Sequence, residues 1–259
     1  GFVYDSTYCT VTDEEGDRYD EITATNILPS SPSISHKAGL GFDWRISKND
    51  LLSVSGNLEL HRDKVNSRQY SLYNDNGVLG FEEWNDVTSQ GRSRDQNYTL
   101  YYRHRFAKKG HEITFNSNYY RMKGVREYLS HSLFHYPDAD SVLKTLDRLT
   151  DNGQSAWNAK LKYDLPLTEK LTLTTGVQNY SRWIGYTYTT GDGGQYFDYH
   201  DNRLALFGQM AYRFSDRFSV SAGLRGEHLR FNIYDTISRG QWNALPSVAL
   251  MYKINENNT

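Results

Sequence analysis

The chain has 259 residues, enough for one large domain or two small ones. Its formal net charge of -2 gives no general electrostatic case for nucleic acid, and 14% aromatic residues argue against disorder. No apolar run reaches the roughly 18–20 residues a membrane-crossing helix needs, and the single cysteine, Cys9, excludes an intramolecular disulfide and a cysteine zinc cluster.

The chain opens Gly1-Phe2-Val3-Tyr4, with no charged-then-apolar leader. A first strand is predicted if Phe2–Val11 counts. The clear strands begin with Leu40, Phe42, Trp44 and Ile46 on one face, against Asp43 and Arg45 on the other. Next come Leu52, Val54, Leu58 and Leu60, then Tyr98, Leu100, Tyr102 and Phe106, then Ile113, Phe115 and Tyr119. Trp157, Ala159, Leu161, Tyr163 and Leu165 follow, against Asn158, Lys160, Lys162 and Asp164. Leu171, Leu173 and Val177 make a further copy. So do Leu204 to Phe214, Phe218 to Leu224, and Val248 to Ile254, each on alternate residues. Successive strand side chains point to opposite faces, so each segment is a two-sided strand.

The connections alternate in length. Short polar turns lie at Ser47-Lys48-Asn49-Asp50, Ala107-Lys108-Lys109-Gly110, Leu167-Thr168-Glu169-Lys170 and Ser215-Asp216-Arg217. Long polar stretches cover about 63–95, 123–153, 182–201 and 232–241. Strands of about 10–13 residues suffice to cross a bilayer at a tilt. Aromatics gather at the strand ends nearest the short turns: Trp44, Phe106, Tyr163, Tyr212, Phe214, Phe218 and Tyr252. This pattern predicts an all-β fold, an antiparallel up-and-down transmembrane β-barrel of about ten meandering strands, with short periplasmic turns and long extracellular loops. The whole of 1–259 is read as one barrel segment in the outer membrane of a Gram-negative bacterium.

Asn97-Tyr98-Thr99-Leu100-Tyr101-Tyr102-Arg103-His104-Arg105-Phe106, followed by Ala107-Lys108-Lys109-Gly110-His111-Glu112-Ile113, is a strand, basic Gly turn, strand hairpin. Ser221-Ala222-Gly223-Leu224-Arg225-Gly226-Glu227 carries an Ala-Gly-Leu-Arg-x-Glu strand. Leu245-Pro246-Ser247 leads into Tyr252-Lys253-Ile254-Asn255. In order and spacing over roughly 96–259, these pieces resemble the outer-membrane β-barrel of TonB-dependent receptors. Leu245 departs from the pattern, which usually has an aromatic before the Pro. The resemblance implies ligand uptake across the outer membrane, a barrel filled by an N-terminal plug, and energy from an inner-membrane TonB system. Such barrels have about 22 strands, so the chain is expected to be an interior part of a larger receptor. Its implied partners are outer-membrane lipid, the remaining barrel and plug, the TonB system through that plug, and an unidentified ligand.

The charges expected to face the lumen are Asp43, Arg45, Glu59, Arg103, Arg105, Lys160, Lys162, Asp164, Arg203, Arg213, Arg225 and Glu227. Any polar barrel interior needs such residues, and cross-strand pairing accounts for them. Long-loop aromatics over a pore mouth are the candidate ligand contacts: Trp84, Tyr128, Tyr136, Trp183, Tyr186 and Tyr196. Packing of the loops against one another accounts for them equally well.

The acidic stretch Asp13–Glu21 lacks calcium-loop spacing and reads as a solvated loop, as do Asp192, Asp198 and Asp201. His131 and His135 stand four apart, but no Glu follows His131. No catalytic, cofactor or metal residue is therefore assigned, and no enzyme activity is expected. Three other readings stay open: a small independent barrel acting as porin or adhesin, an outer-membrane enzyme, and a soluble β-rich binding module.

Overall fold

The computed structural model describes residues 3–12, 18–27, 32–75, 78–234 and 236–254. They form eleven strands in one antiparallel sheet: β1 (Val3–Thr12), β2 (Arg18–Ile27), β3 (Ser33–Arg45), β4 (Asp50–Asp75), β5 (Val78–Arg105) and β6 (Glu112–Tyr136), then β7 (Ala139–Pro166), β8 (Leu171–Thr190), β9 (Gly193–Arg213), β10 (Phe218–Ile233) and β11 (Ile237–Tyr252). From β4 onward each strand pairs with the next in sequence. The long β4 pairs with β3 along Leu51–Asp63 and with β2 along Ser67–Asp75, so β2 and β3 share one position in a sheet of ten. Among the described residues, β11 makes no contact with β1 or β3, and the sheet is open.

Direct strand partners share a face. Ser53, Tyr101, Asn116, Lys160, Gln178, Ala205, Glu227 and Asn243 run as direct partners across eight strands. One residue away, on the opposite face, runs Leu52, Tyr102, Phe115, Leu161, Val177, Leu206, Gly226 and Ala244. The alternation read from the sequence therefore holds across the sheet. All twelve charges expected in the lumen lie on the first face, here called inner.

Neither face has the core of a soluble domain. Ala205, at 1% exposure, is the one buried hydrophobic residue among the described residues. Leu206, Met210, Leu224, Val248 and Leu250 are all exposed, and all lie on the outer face. A soluble sandwich would bury such side chains between two sheets. Here they form a band on β3–β11, starting at the short turn and running about ten residues, as in Leu204–Phe214 and Trp157–Leu165. That is the span a tilted strand needs to cross a hydrocarbon core.

The aromatics at the short-turn end pack into a border for this band. Phe106 stacks on His111 with centroids 4.0 Å apart and meets Tyr163 edge-on. Phe214 sits between Tyr212 and Phe218. Just below the band, Asp50 accepts hydrogen bonds from Ser47, His104 and Tyr102, which hold its carboxyl down at about 2.

Three short turns are built alike. The hydroxyls of Ser47, Thr168 and Ser215 each accept backbone N–H groups two and three residues on, which closes the turn locally. The fourth turn, Ala107–Gly110, lacks that hydroxyl and relies on Gly110 at φ 79°. A side chain there meets no neighbouring atom, so its cost is purely the left-handed backbone. Gly110→Ala is expected to lower stability by about 1–2 kcal/mol, read as an earlier urea midpoint with an unchanged slope.

The asymmetry between the two ends stands, but the long connections differ from the irregular loops the sequence suggested. Strands β4–β11 run 16–28 residues, and the polar stretches 63–95 and 123–153 are paired ladder almost to their tips. Extended irregular segments would leave backbone groups to water alone, whereas a continued hairpin satisfies them internally. The tips are short, such as Pro137-Asp138 and Gly191-Asp192.

Candidate functional site at the inner face

Within the apolar band, the inner face is tied across strands by charge. Glu227, only 8% exposed, receives Arg203 and Arg225, each at 3.2 Å. Arg225 also donates to the Gln178 side chain, so the cluster spans β8, β9 and β10. Lys162 meets Asp164 at 2.6 Å, and Arg105 lies 3.7 Å from Glu112. Lys160 sits over the Phe207 ring. Ion pairs along and across strands, with Glu59 held by Lys37, thus engage seven of the twelve lumen charges. Arg103 is different, because its Nε is buried without a partner among the described residues.

Above the band, the inner face carries a second polar group on β4–β7. Asp63, Gly91, Arg126 and Thr150 are direct partners in one row. Gly91 leaves the room that the Arg126 guanidinium fills: a Cβ there would stand 2.4 Å from Asp63 and 2.6 Å from Arg126. Arg126 reaches both oxygens of Asp63, at 2.9 and 3.0 Å, and donates to Ser89. Next to it, the Arg148 guanidinium lies over the Tyr128 ring at 4.9 Å, and its Nε is buried without a partner. Asp63, Gly91, Arg126, Arg148 and Thr150 are among the residues that line a hollow of about 320 Å³.

Further round the sheet, Arg182 grips Asp201, itself 3% exposed, at 2.7 Å. The hydrogen bond to Asp201 pushes the Arg182 guanidinium above its usual range, against the opposing effect of burial. The arrangement can hold and orient an anionic or hydrogen-bonding ligand through guanidinium and aromatic groups.

The six candidate aromatics divide between the two faces. Tyr128 and Tyr186 lie on the inner face by register, and Tyr136 joins them through its ring contact with Phe81. Trp84, Trp183 and Tyr196 lie on the outer face. The structure therefore brings no single six-residue cluster together. Two smaller clusters occupy the hairpin tips: Tyr73, Phe81, Phe134 and Tyr136, and Tyr186, Phe197 and Tyr234. Tyr234 holds φ 53°, a left-handed backbone uncommon for a bulky residue, while its ring meets Tyr196 and Phe197 edge-on. Arg126 and Arg148 escaped the sequence reading. Their signal, an arginine opposite a glycine or beside a tyrosine, appears only once the register is known.

Asp13–Asp17 lie outside the described residues, as do the side chains of Arg18–Glu21. Among the described residues, no group of three or more His, Cys, Asp or Glu is placed to hold a metal ion.

The sequence matches no curated protein. The pyoverdine outer membrane receptor FpvA from Pseudomonas aeruginosa PAO1 is similar in structure, at 9% identity and a TM-score of 0.48, over 98% of this chain and 44% of that one. BauA, the ferric preacinetobactin receptor from Acinetobacter baumannii, shows 8% identity and a TM-score of 0.45, over 98% and 45%. The translocator domain of autotransporter NalP from Neisseria meningitidis shows 10% identity and a TM-score of 0.34, over 98% and 77%. The chain thus spans less than half the length of the two receptors. The model of the outer membrane protein β-barrel family matches residues 104–259, more than half of the sequence. With its lipid-width apolar band and polar inner face, the chain belongs to the outer membrane protein β-barrel family and resides in the Gram-negative outer membrane.

Proposed function

We propose that the chain forms part of the barrel wall of a TonB-dependent receptor that takes up a ligand across the outer membrane. The observation that carries this reading is the open sheet of ten strand positions, with both edges unpaired among the described residues. Backbone groups in lipid must be paired, so these edges call for further strands. Plugged transporters supply about 22. The three sequence motifs at 97–113, 221–227 and 245–255 add the resemblance.

In this reading the chain performs no bond-making step. Tyr128, Tyr136 and Tyr186, with Arg126 and Arg148, face the passage and meet the ligand. Trp84, Trp183 and Tyr196 support the hairpins from outside. The test is uptake by cells carrying the complete protein, with and without a working TonB system. Uptake is expected to vanish without TonB, and to fall several-fold in Tyr128→Ala and Arg148→Gln variants that still reach the membrane. TonB-independent uptake, or a closed ion-conducting pore formed by this chain alone in a planar bilayer, would contradict the proposal.

A further inference from the structure

On the outer face, the apolar band of β4–β6 gives way abruptly to cations. Above Leu60 come Arg62 and Lys64 on β4, Arg92 and Arg94 on β5, and Arg121 and Lys123 on β6, all exposed. The register sets Arg62 directly opposite Arg92, and Arg94 directly opposite Lys123. Like charges in direct opposition destabilise a sheet unless something neutralises them. Among the described residues, none of the six takes part in an ion pair. The contrast with the same face farther out is sharp, where Arg68 has Asp86 at 2.7 Å. It is equally sharp with the inner face at the same height, where Arg126 has Asp63. Glu127 and Asp151 lie on the same face nearby, too few to balance the six, and neither pairs with them.

The patch also has shape. Leu60, Arg62, Arg92, Arg94, Lys123 and Val125 line a hollow of about 300 Å³, and Asp151 is the one carboxylate in its wall. Leu60 and Val125 give it an apolar side, and the guanidinium and ammonium groups give it a cationic one. It adjoins the lipid-facing band directly, two residues above Leu60 on the same face of β4. At this height, on the extracellular side, the neighbours are headgroups of the outer leaflet.

We propose that this patch is a lateral binding site for a phosphorylated lipid headgroup of the outer leaflet. Guanidinium groups bind phosphate through paired hydrogen bonds, and basic residues beside a lipid surface attract anionic headgroups. Bound phosphates would supply the counter-charge that the sheet lacks. Headgroup sugars or upper acyl carbons would rest on Leu60 and Val125. The inference depends on the protein's place in the outer membrane and not on any transport role.

The test uses the complete protein folded in zwitterionic detergent and titrated with a bis-phosphorylated glucosamine glycolipid of the lipid A type. The dephosphorylated glycolipid and inorganic phosphate serve as separate probes. The native chain is expected to bind the phosphorylated glycolipid in a salt-sensitive manner. Arg62→Gln/Arg92→Gln/Arg94→Gln is expected to bind it on the order of a hundredfold more weakly, from about 1 kcal/mol for each basic residue beside an anionic surface. Arg45→Gln/Arg105→Gln/Arg213→Gln removes the same charge from the inner face and should bind unchanged. Heat-modifiable migration on gels confirms that each variant is folded before it is titrated. Equal binding of the dephosphorylated glycolipid, or no loss in the outer-face variant, overturns the proposal. So does inorganic phosphate binding as tightly as the lipid, which would make the site one for free phosphate.

Discussion

Replacing Met210 by arginine is expected to destabilise the folded, membrane-inserted protein by about 2–4 kcal/mol, the cost of a basic side chain near the bilayer midplane on a lipid-facing strand. Met210 is 53% exposed on the outer face and has Leu173 and Ala222 as direct partners. It stands near the middle of the Leu204–Phe214 band, beyond reach of water at either border. The control is its neighbour. Gln209 points to the inner face, beside Thr174 and Gly223, and Gln209→Arg adds the same charge to a polar surface. Its expected effect is within about 0.5 kcal/mol. Unfolding in urea from lipid vesicles separates the two. Equal destabilisation by both variants would mean that the two faces meet the same solvent, which a membrane-embedded wall does not allow.

Gly176→Val is expected to cost about 3 kcal/mol, at the upper end for overpacking. Valine favours strands, so propensity alone would make the change mild. Space decides otherwise. Gly176 lies on the inner face opposite Lys162 and Phe207. A Cβ there would overlap the backbone carbonyl oxygen of Leu161 and come within 2.6 Å of the Phe207 ring. A carbonyl in a paired ladder cannot rotate away, so strand or ring must shift. The Phe207 ring laid over Gly176 also packs beneath the Lys160 ammonium, and moving it disturbs that contact. Gly208 is the matched comparison, one residue from Phe207 but on the outer face, where an added Cβ would meet open space. Gly208→Val is expected to be neutral or slightly stabilising, through reduced freedom of the unfolded chain. A similar loss at both sites would remove close packing at Gly176 as the cause.

Within the membrane the fold was legible because the solvent differs on the two sides. Lipid on one side and a polar interior on the other impose period two, and Trp157–Leu165 or Phe218–Leu224 can be read at sight. Beyond the band both faces meet water, and the pattern disappears although the strands continue. Residues 62–75 show no apolar alternation, yet they are ladder throughout. What holds them is pairwise: Arg68 with Asp86, Asn66 with Thr88, and Tyr70 packed on Trp84 at 4.5 Å. Each partner lies some 14–22 residues away, and the sequence does not reveal which residues oppose one another.

The same lack of register limited the site. Tyr128 and Trp84 look alike in sequence, as aromatics in polar stretches, but parity through the hairpins sends one inward and the other outward. The short turns were easier, because their signal is local. Ser47, Thr168 and Ser215 each close their own turn within three residues. Arg126 needed three strands in alignment, with Asp63 and Gly91, before its role could be seen.

The central claim is that one face of each strand meets lipid and the other a polar interior. Nitroxide labels on single cysteines introduced in turn along residues 204–214, with Cys9→Ser as background, test it most directly in reconstituted vesicles. Accessibility to oxygen should peak at Leu204, Leu206, Gly208, Met210, Tyr212 and Phe214. Accessibility to a water-soluble nickel complex should peak at the residues between them. A pattern without period two, or nickel access at every position, would contradict the account.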